Sequence, residues 1–142
     1  MKKSRFSISQ VFVYLILLFV IVFFSIMSQS FMTSRNILNI CRQVSMIGIC
    51  SVGMTMVLLT GGIDISVGSI IALSGVVAAK LIAENMWPIF PAMVVGVVIG
   101  VICGIISGVM VAKFDVPALI ATLAMQSIAR GIAFILTQGI PV

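Results

Sequence analysis

Gly61-Gly62-Ile63-Asp64-Ile65-Ser66-Val67-Gly68-Ser69 is the one place where an otherwise apolar chain gathers backbone-loosening and polar residues between two long hydrophobic segments. Gly61, Gly62 and Gly68 weaken helical order, because glycine loses the most backbone entropy on ordering. Asp64 is one of only three acidic residues in the sequence. A helix break of this kind persists inside a membrane protein only where protein or a water-filled path satisfies the freed backbone groups. The stretch therefore predicts a break between two helices and a candidate working part.

The composition settles the surroundings of that break. Of 142 residues, 62% are hydrophobic and 8% charged, with a mean hydropathy of +1.38, against about 25% charged in ordinary soluble domains. The chain reads as an integral membrane protein, and at about 20 residues per span it holds about five helices and their loops. A net charge of +5 would suggest nucleic acid in a soluble protein. Here Lys2, Lys3 and Arg5 directly precede an apolar run, which is the pattern that sets membrane orientation, so no nucleic acid is expected. There is no histidine, and Cys41, Cys50 and Cys103 are scattered. Neither a metal site, a cofactor nor a disulfide framework is indicated, and the cysteines read as small core residues.

Before the break, residues 1–10 form a basic tail and residues 11–27 a first apolar helix, expected to be retained with its N-terminus in the cytoplasm; a cleaved leader is the alternative. Thr33-Ser34-Arg35-Asn36 supplies N-cap chemistry for a second helix from near Arg35 through Thr60. Ser45, Gly48, Ser51 and Thr55 share one face of it, which serves either to pack another helix or to line a polar path. After the break a short third helix runs over 70–83, with Asp64 or Ser66 as its N-cap. Lys80, Glu84 and Asn85 mark its polar end, and Trp87-Pro88 follows.

A fourth helix, about 89–112, carries Gly96, Gly100, Gly104 and Gly108 at every fourth position, a stripe that lets another backbone approach closely. Lys113-Phe114-Asp115-Val116-Pro117 predicts a turn with Pro117 at the first helical position of the fifth helix and Asp115 near its cap. Over 118–136, Thr122, Gln126 and Arg130 form one polar line, and an intramembrane arginine is a functional hypothesis by default. The alternative is a tilted, re-entrant or interfacial segment. With the N-terminus inside, Lys113 joins the N-terminal cluster on the cytoplasmic side and Arg35, Arg42 and Lys80 lie outside. The fold class is an all-α, polytopic transmembrane helical bundle with the glycine-rich break between its second and third segments.

Asn36-Ile37-Leu38-Asn39-Ile40, Arg42-Gln43-Val44-Ser45, Gly53-Met54-Thr55-Met56-Val57 and above all Thr60-Gly61-Gly62-Ile63-Asp64-Ile65-Ser66-Val67-Gly68-Ser69 resemble the permease subunit of bacterial ABC importers for ribose and related monosaccharides. Pro117 to Leu123 and Ile128-Ala129-Arg130-Gly131 are similar to it too. The resemblance implies a multi-pass inner-membrane subunit and not an enzyme. It would pair with a second permease subunit, receive sugar from a periplasmic or lipid-anchored binding protein, and be driven by cytoplasmic ATPase subunits. Family permeases are about twice as long, so the chain is expected to be an N-terminal half, a single permease domain over 1–142 that does not transport alone.

Under that reading the substrate-path candidates are Ser45, Ser51, Thr55, Asp64, Ser66, Ser69, Gln126 and Arg130. Neutral sugars need hydrogen-bond donors and acceptors rather than charge. Asp64 either caps the third helix, or sits in the path or pairs with Arg130. Permeases for branched-chain amino acids, nucleosides or a furanosyl signal, and a non-transporting remnant, are the competing readings. A membrane enzyme would need a convergent catalytic set that three dispersed acids do not supply.

Overall fold

The computed structural model describes residues 8–140. Lys2, Lys3 and Arg5, on which the expected orientation rests, lie outside the described residues. The helices are α1 (Ile8–Met27), α2 (Ser34–Leu59), α3 (Val67–Ala83), α4 (Ile89–Phe114) and α5 (Ala118–Leu136), with no strand among the described residues. Of these, α2, α4 and α5 are long and apolar enough to cross a bilayer. α3 has 17 residues, and at about 1.5 Å each it reaches about 26 Å against a hydrocarbon core of about 30 Å.

The chain divides into two compact units, with the boundary inside α2 between Ile49 and Cys50. In the first, Phe24 and Phe31 stack at a centroid distance of 5.8 Å. The Asn36 side-chain amide donates to the Phe31 carbonyl at 2.7 Å. α2 starts where its N-cap chemistry predicts, with the Ile37 N–H on the Thr33 carbonyl at 3.0 Å.

The second unit is built on α3, which packs against both α4 and α5, while α4 and α5 touch less extensively. Leu73, Cys103, Met125, Ala129 and Ala133 form its core. Cys103, Ala129 and Ala133 keep it narrow, because close approach, not hydrophobic transfer, drives helix association in lipid. Most of the large apolar side chains, such as Val97, Ile105 and Ile128, remain exposed, as a lipid-facing surface requires. Of the three cysteines only Cys103 is buried; Cys50 is half-buried and Cys41 exposed.

The glycine stripe of α4 is used over half its length. A Cβ on Gly96 would lie 3.2 Å from the Ser74 carbonyl oxygen and 3.6 Å from Ala78 Cβ, and one on Gly100 would lie 3.8 Å from Ile70 and from the Ser74 hydroxyl. Gly104 and Gly108 meet nothing within 4 Å. The reason is the pitch: with 3.6 residues per turn, each step of four turns the stripe by about 40°, so it winds out of the seam. Buried α4 residues follow the seam instead, as Ala92, Gly96, Cys103 and Ser107.

Two expectations at helix ends are corrected. Pro117 occupies the N-cap of α5, one position before the first helical residue expected of it, while Asp115, near that cap, ends α4 in a left-handed conformation (φ 51°). Gly68 is not part of the break, because α3 already begins at Val67. In a first turn, where N–H groups lack intrahelical partners anyway, glycine is easily accommodated.

Replacing Gly96 with Ala pushes a methyl against a helix carbonyl that cannot withdraw. The expected loss is about 1–3 kcal/mol of stability in detergent unfolding titrations, whereas Gly108→Ala, entering open space, is expected to cost nothing.

Candidate functional site at the helix break

α2 ends because Gly61 takes a left-handed turn (φ 80°). That turns the Gly61 N–H onto the Leu58 carbonyl at 3.0 Å and the Gly62 N–H onto the Val57 carbonyl at 3.2 Å, the paired bonds that close a helix C-terminus at glycine. Gly62 then passes close to α5: a Cβ there would lie 3.4 Å from Ala118 Cβ and 3.4 Å from Val57. One residue on, the Ile63 carbonyl accepts the Thr122 hydroxyl at 3.2 Å. Thr122 is buried and shares its proton with Leu119 of its own helix at 3.3 Å. The break is thus docked on the first turns of α5, and α5 supplies the donor that its exposed backbone requires.

Asp64 and Ser66 form the second fastening. The Asp64 Oδ1 accepts the Ser66 N–H at 2.8 Å and the Ser66 hydroxyl at 2.6 Å. Ser66 holds the N-cap position of α3, as one of the two sequence readings has it, but its side chain makes no cap bond. Its hydroxyl donates backwards to Asp64, so the carboxylate closes a tight turn ahead of the helix. Ser66 is fully buried and Ser69 buried.

The two ends of the α3–α5 pair show that the helices run parallel. Thr122 meets Ile63 at one end, and at the other the Lys80 ammonium donates to the Leu136 carbonyl at 2.8 Å and pairs with Glu84 at 3.1 Å. Lys80 therefore caps the last turn of α5. α4 runs the opposite way, since Gly96 meets Ser74 and Ala78 whereas Gly100 meets Ile70. Ser107 lies seven residues beyond Gly100, about 10 Å further towards the break end, and its buried hydroxyl has no partner among the described residues. All the buried polar side chains described, Ser66, Ser69, Ser107 and Thr122, belong to that end of the unit.

The remaining candidates are not brought to this cluster. On α2, Ser45 donates to the Cys41 carbonyl at 2.8 Å and Thr55 to the Ser51 carbonyl at 2.7 Å, and all three hydroxyl residues are exposed. On α5 the polar line rotates outwards at its spacing of four: Thr122 is buried, Gln126 half-buried and Arg130 exposed. Arg130 stands eight residues from Thr122, about 12 Å along the axis, so it does not pair with Asp64. The only ion pair among the described residues is Lys80 with Glu84. Arg130 instead lines a groove between α3 and α5. Sequence reasoning missed Lys80 as a cap and Ser107 as a buried group. The signal for Ser107 was its spacing of four from Cys103.

Comparison with known proteins follows the same stretches. A protein-family model described as branched-chain amino acid transport system / permease component matches residues 36–141. A ribose import permease of Haemophilus influenzae is 47% identical over 98% of this chain and 42% of its own length. One of Bacillus subtilis is 44% identical over 89% of this chain and 39% of its own. An L-arabinose ABC transporter permease of Azospirillum brasilense is 38% identical over 88% and 37%. The chain thus spans about two fifths of the length of these relatives. No solved structure matches it.

Thr122→Val removes the donor and strands the Ile63 carbonyl. Its expected cost is about 1 kcal/mol, read as faster hydrogen exchange at the amides of residues 63–70. Asp64→Asn keeps the acceptor oxygen and is expected to exchange nearly as the parent does, while Asp64→Ala loses both bonds and exchanges faster; equal rates in Asp64→Ala and the parent would refute the fastening.

Proposed function

Because the chain belongs to the family of branched-chain amino acid transport system permease components and is a multi-pass membrane protein, we propose that it forms part of the translocation path of an ATP-driven ABC importer for ribose or a related monosaccharide. The observation that carries this reading is the likeness to ribose import permeases over nearly the whole chain. It is a transport subunit rather than an enzyme. ATP hydrolysis falls to separate cytoplasmic ATPase subunits, sugar arrives from a periplasmic or lipid-anchored binding protein, and a second permease subunit completes the path. The protein belongs in the inner membrane with its N-terminus in the cytoplasm.

The geometry divides the candidates between two tasks. Asp64, Ser66 and Thr122 spend their hydrogen bonds on the break itself, so their task is to fix α3 against α5. With the N-terminus inside, this fastened end lies at the cytoplasmic face, where ATPase subunits act. Ser45, Ser51, Thr55 and Gln126 keep exposed or half-buried polar atoms on otherwise apolar helices. They are suited to exchange hydrogen bonds with sugar hydroxyls, each bond replacing one to water at little net cost. The description of the family favours a second reading, a branched-chain amino acid as solute. A zwitterion is best met by opposed charges, and Ser45, Ser51 and Thr55 offer hydroxyls instead.

The test is a chimera in which this chain replaces the matching part of the Haemophilus influenzae ribose permease, expressed with that importer's ATPase and binding protein in cells lacking ribose uptake. Labelled ribose is expected to enter, and Gln126→Leu to slow entry several-fold. A chimera that inserts normally but carries no ribose, or that carries leucine instead, would sink the proposal.

A further inference from the structure

Arg130 is the one charged group of α5, and it has no hydrogen bond or ion pair with any described residue. The groove that it lines, about 630 Å³, lies open between α3 and α5, flanked by Ile71, Val76, Ala133 and Phe134. Its rims are apolar and open, with Ile71 42% and Phe134 65% exposed. At Val76, Thr137 and Ile140 the groove runs into a second recess that holds Lys80 and Glu84. There the lysine is already met, by Glu84 at 3.1 Å and the Leu136 carbonyl at 2.8 Å. The mouth is therefore close to neutral, and one unopposed positive charge remains inside.

Six residues separate Arg130 from the end of α5 at Leu136, about 9 Å, so its backbone lies within a hydrocarbon core about 30 Å thick when α5 spans it. A bare cation there is costly and is relieved by an anion drawn in beside it. Neither a free phosphate nor a neutral sugar gains anything from four apolar walls. An anionic phospholipid satisfies both halves, since its phosphate takes two parallel N–H bonds from the planar guanidinium and its chain covers the walls.

We propose that the groove between α3 and α5 seats one anionic phospholipid, with the phosphate on Arg130 and an acyl chain along Ile71, Val76 and Phe134. The seat goes beyond the transport role and does not depend on it.

The purified chain, incubated in detergent with equal amounts of phosphatidylglycerol and phosphatidylcholine, is examined by native mass spectrometry for the lipid that stays bound. Phosphatidylglycerol is expected to be held about tenfold better, as one charge-assisted contact allows. R130Q is expected to lose that preference and R130K to keep part of it, while K113Q, at the far end of α4, leaves it unchanged. Equal retention of the two lipids by the parent chain, or a preference that survives R130Q, overturns the proposal. So does a dimer that R130Q dissolves with the lipid preference intact, since the anion is then a carboxylate of a second copy.

Discussion

The hydrogen bond from the Thr122 hydroxyl to the Ile63 carbonyl is the contact that fastens the helix break to α5. Between Leu59 and Val67 the backbone leaves the helix, and a carbonyl freed in an apolar surrounding must find a donor or pay its desolvation. Two neighbours make the bond possible. Gly62 lets the segment pass close to Ala118, and the Asp64 carboxylate ties Ser66 back so that α3 starts in a fixed direction. Loss of the threonine donor would therefore loosen the start of α3 and not only one bond.

A single geometric fact explains why two conspicuous patterns were only half right. The glycines of α4 and the polar line of α5 both repeat every four residues, and a helix of 3.6 residues per turn carries such a line around its surface. Gly96 and Gly100 therefore touch α3 while Gly104 and Gly108 face away. Thr122 is buried while Arg130 is exposed. Where such a line starts decides its fate: Ala121, Met125, Ala129 and Ala133 are also four apart, but they enter at one edge of the seam and cross it, whereas the line from Thr122 starts near the other edge and leaves.

Polar groups consequently gather at the two ends of the α3–α5 pair, with different chemistry at each. The break end holds buried hydroxyls, of which Ser66 donates to the Asp64 carboxylate and Thr122 to the Ile63 carbonyl, an arrangement suited to holding shape. The other end holds Lys80 on the α5 terminus and, further in, the unmatched charge of Arg130.

Composition alone pointed to a membrane protein, with 62% hydrophobic and 8% charged residues against about 25% charged in ordinary soluble domains. Periodicity and punctuation located the five helices, because Gly61, Pro88 and Pro117 act on their own backbone without help from distant residues. The site was legible as a stretch, Gly61 to Ser69, but not as a set of contacts. Whether Asp64 would meet Arg130 or Ser66, and whether Thr122 would face lipid or the break, depended on how α5 is rotated and aligned against α3. That alignment follows from packing between helices over fifty residues apart in the chain, and local propensity carries no information about it. Sequence thus determined which segments are helical and where they break; tertiary packing decided which polar groups would be spent on holding the break and which would be left open.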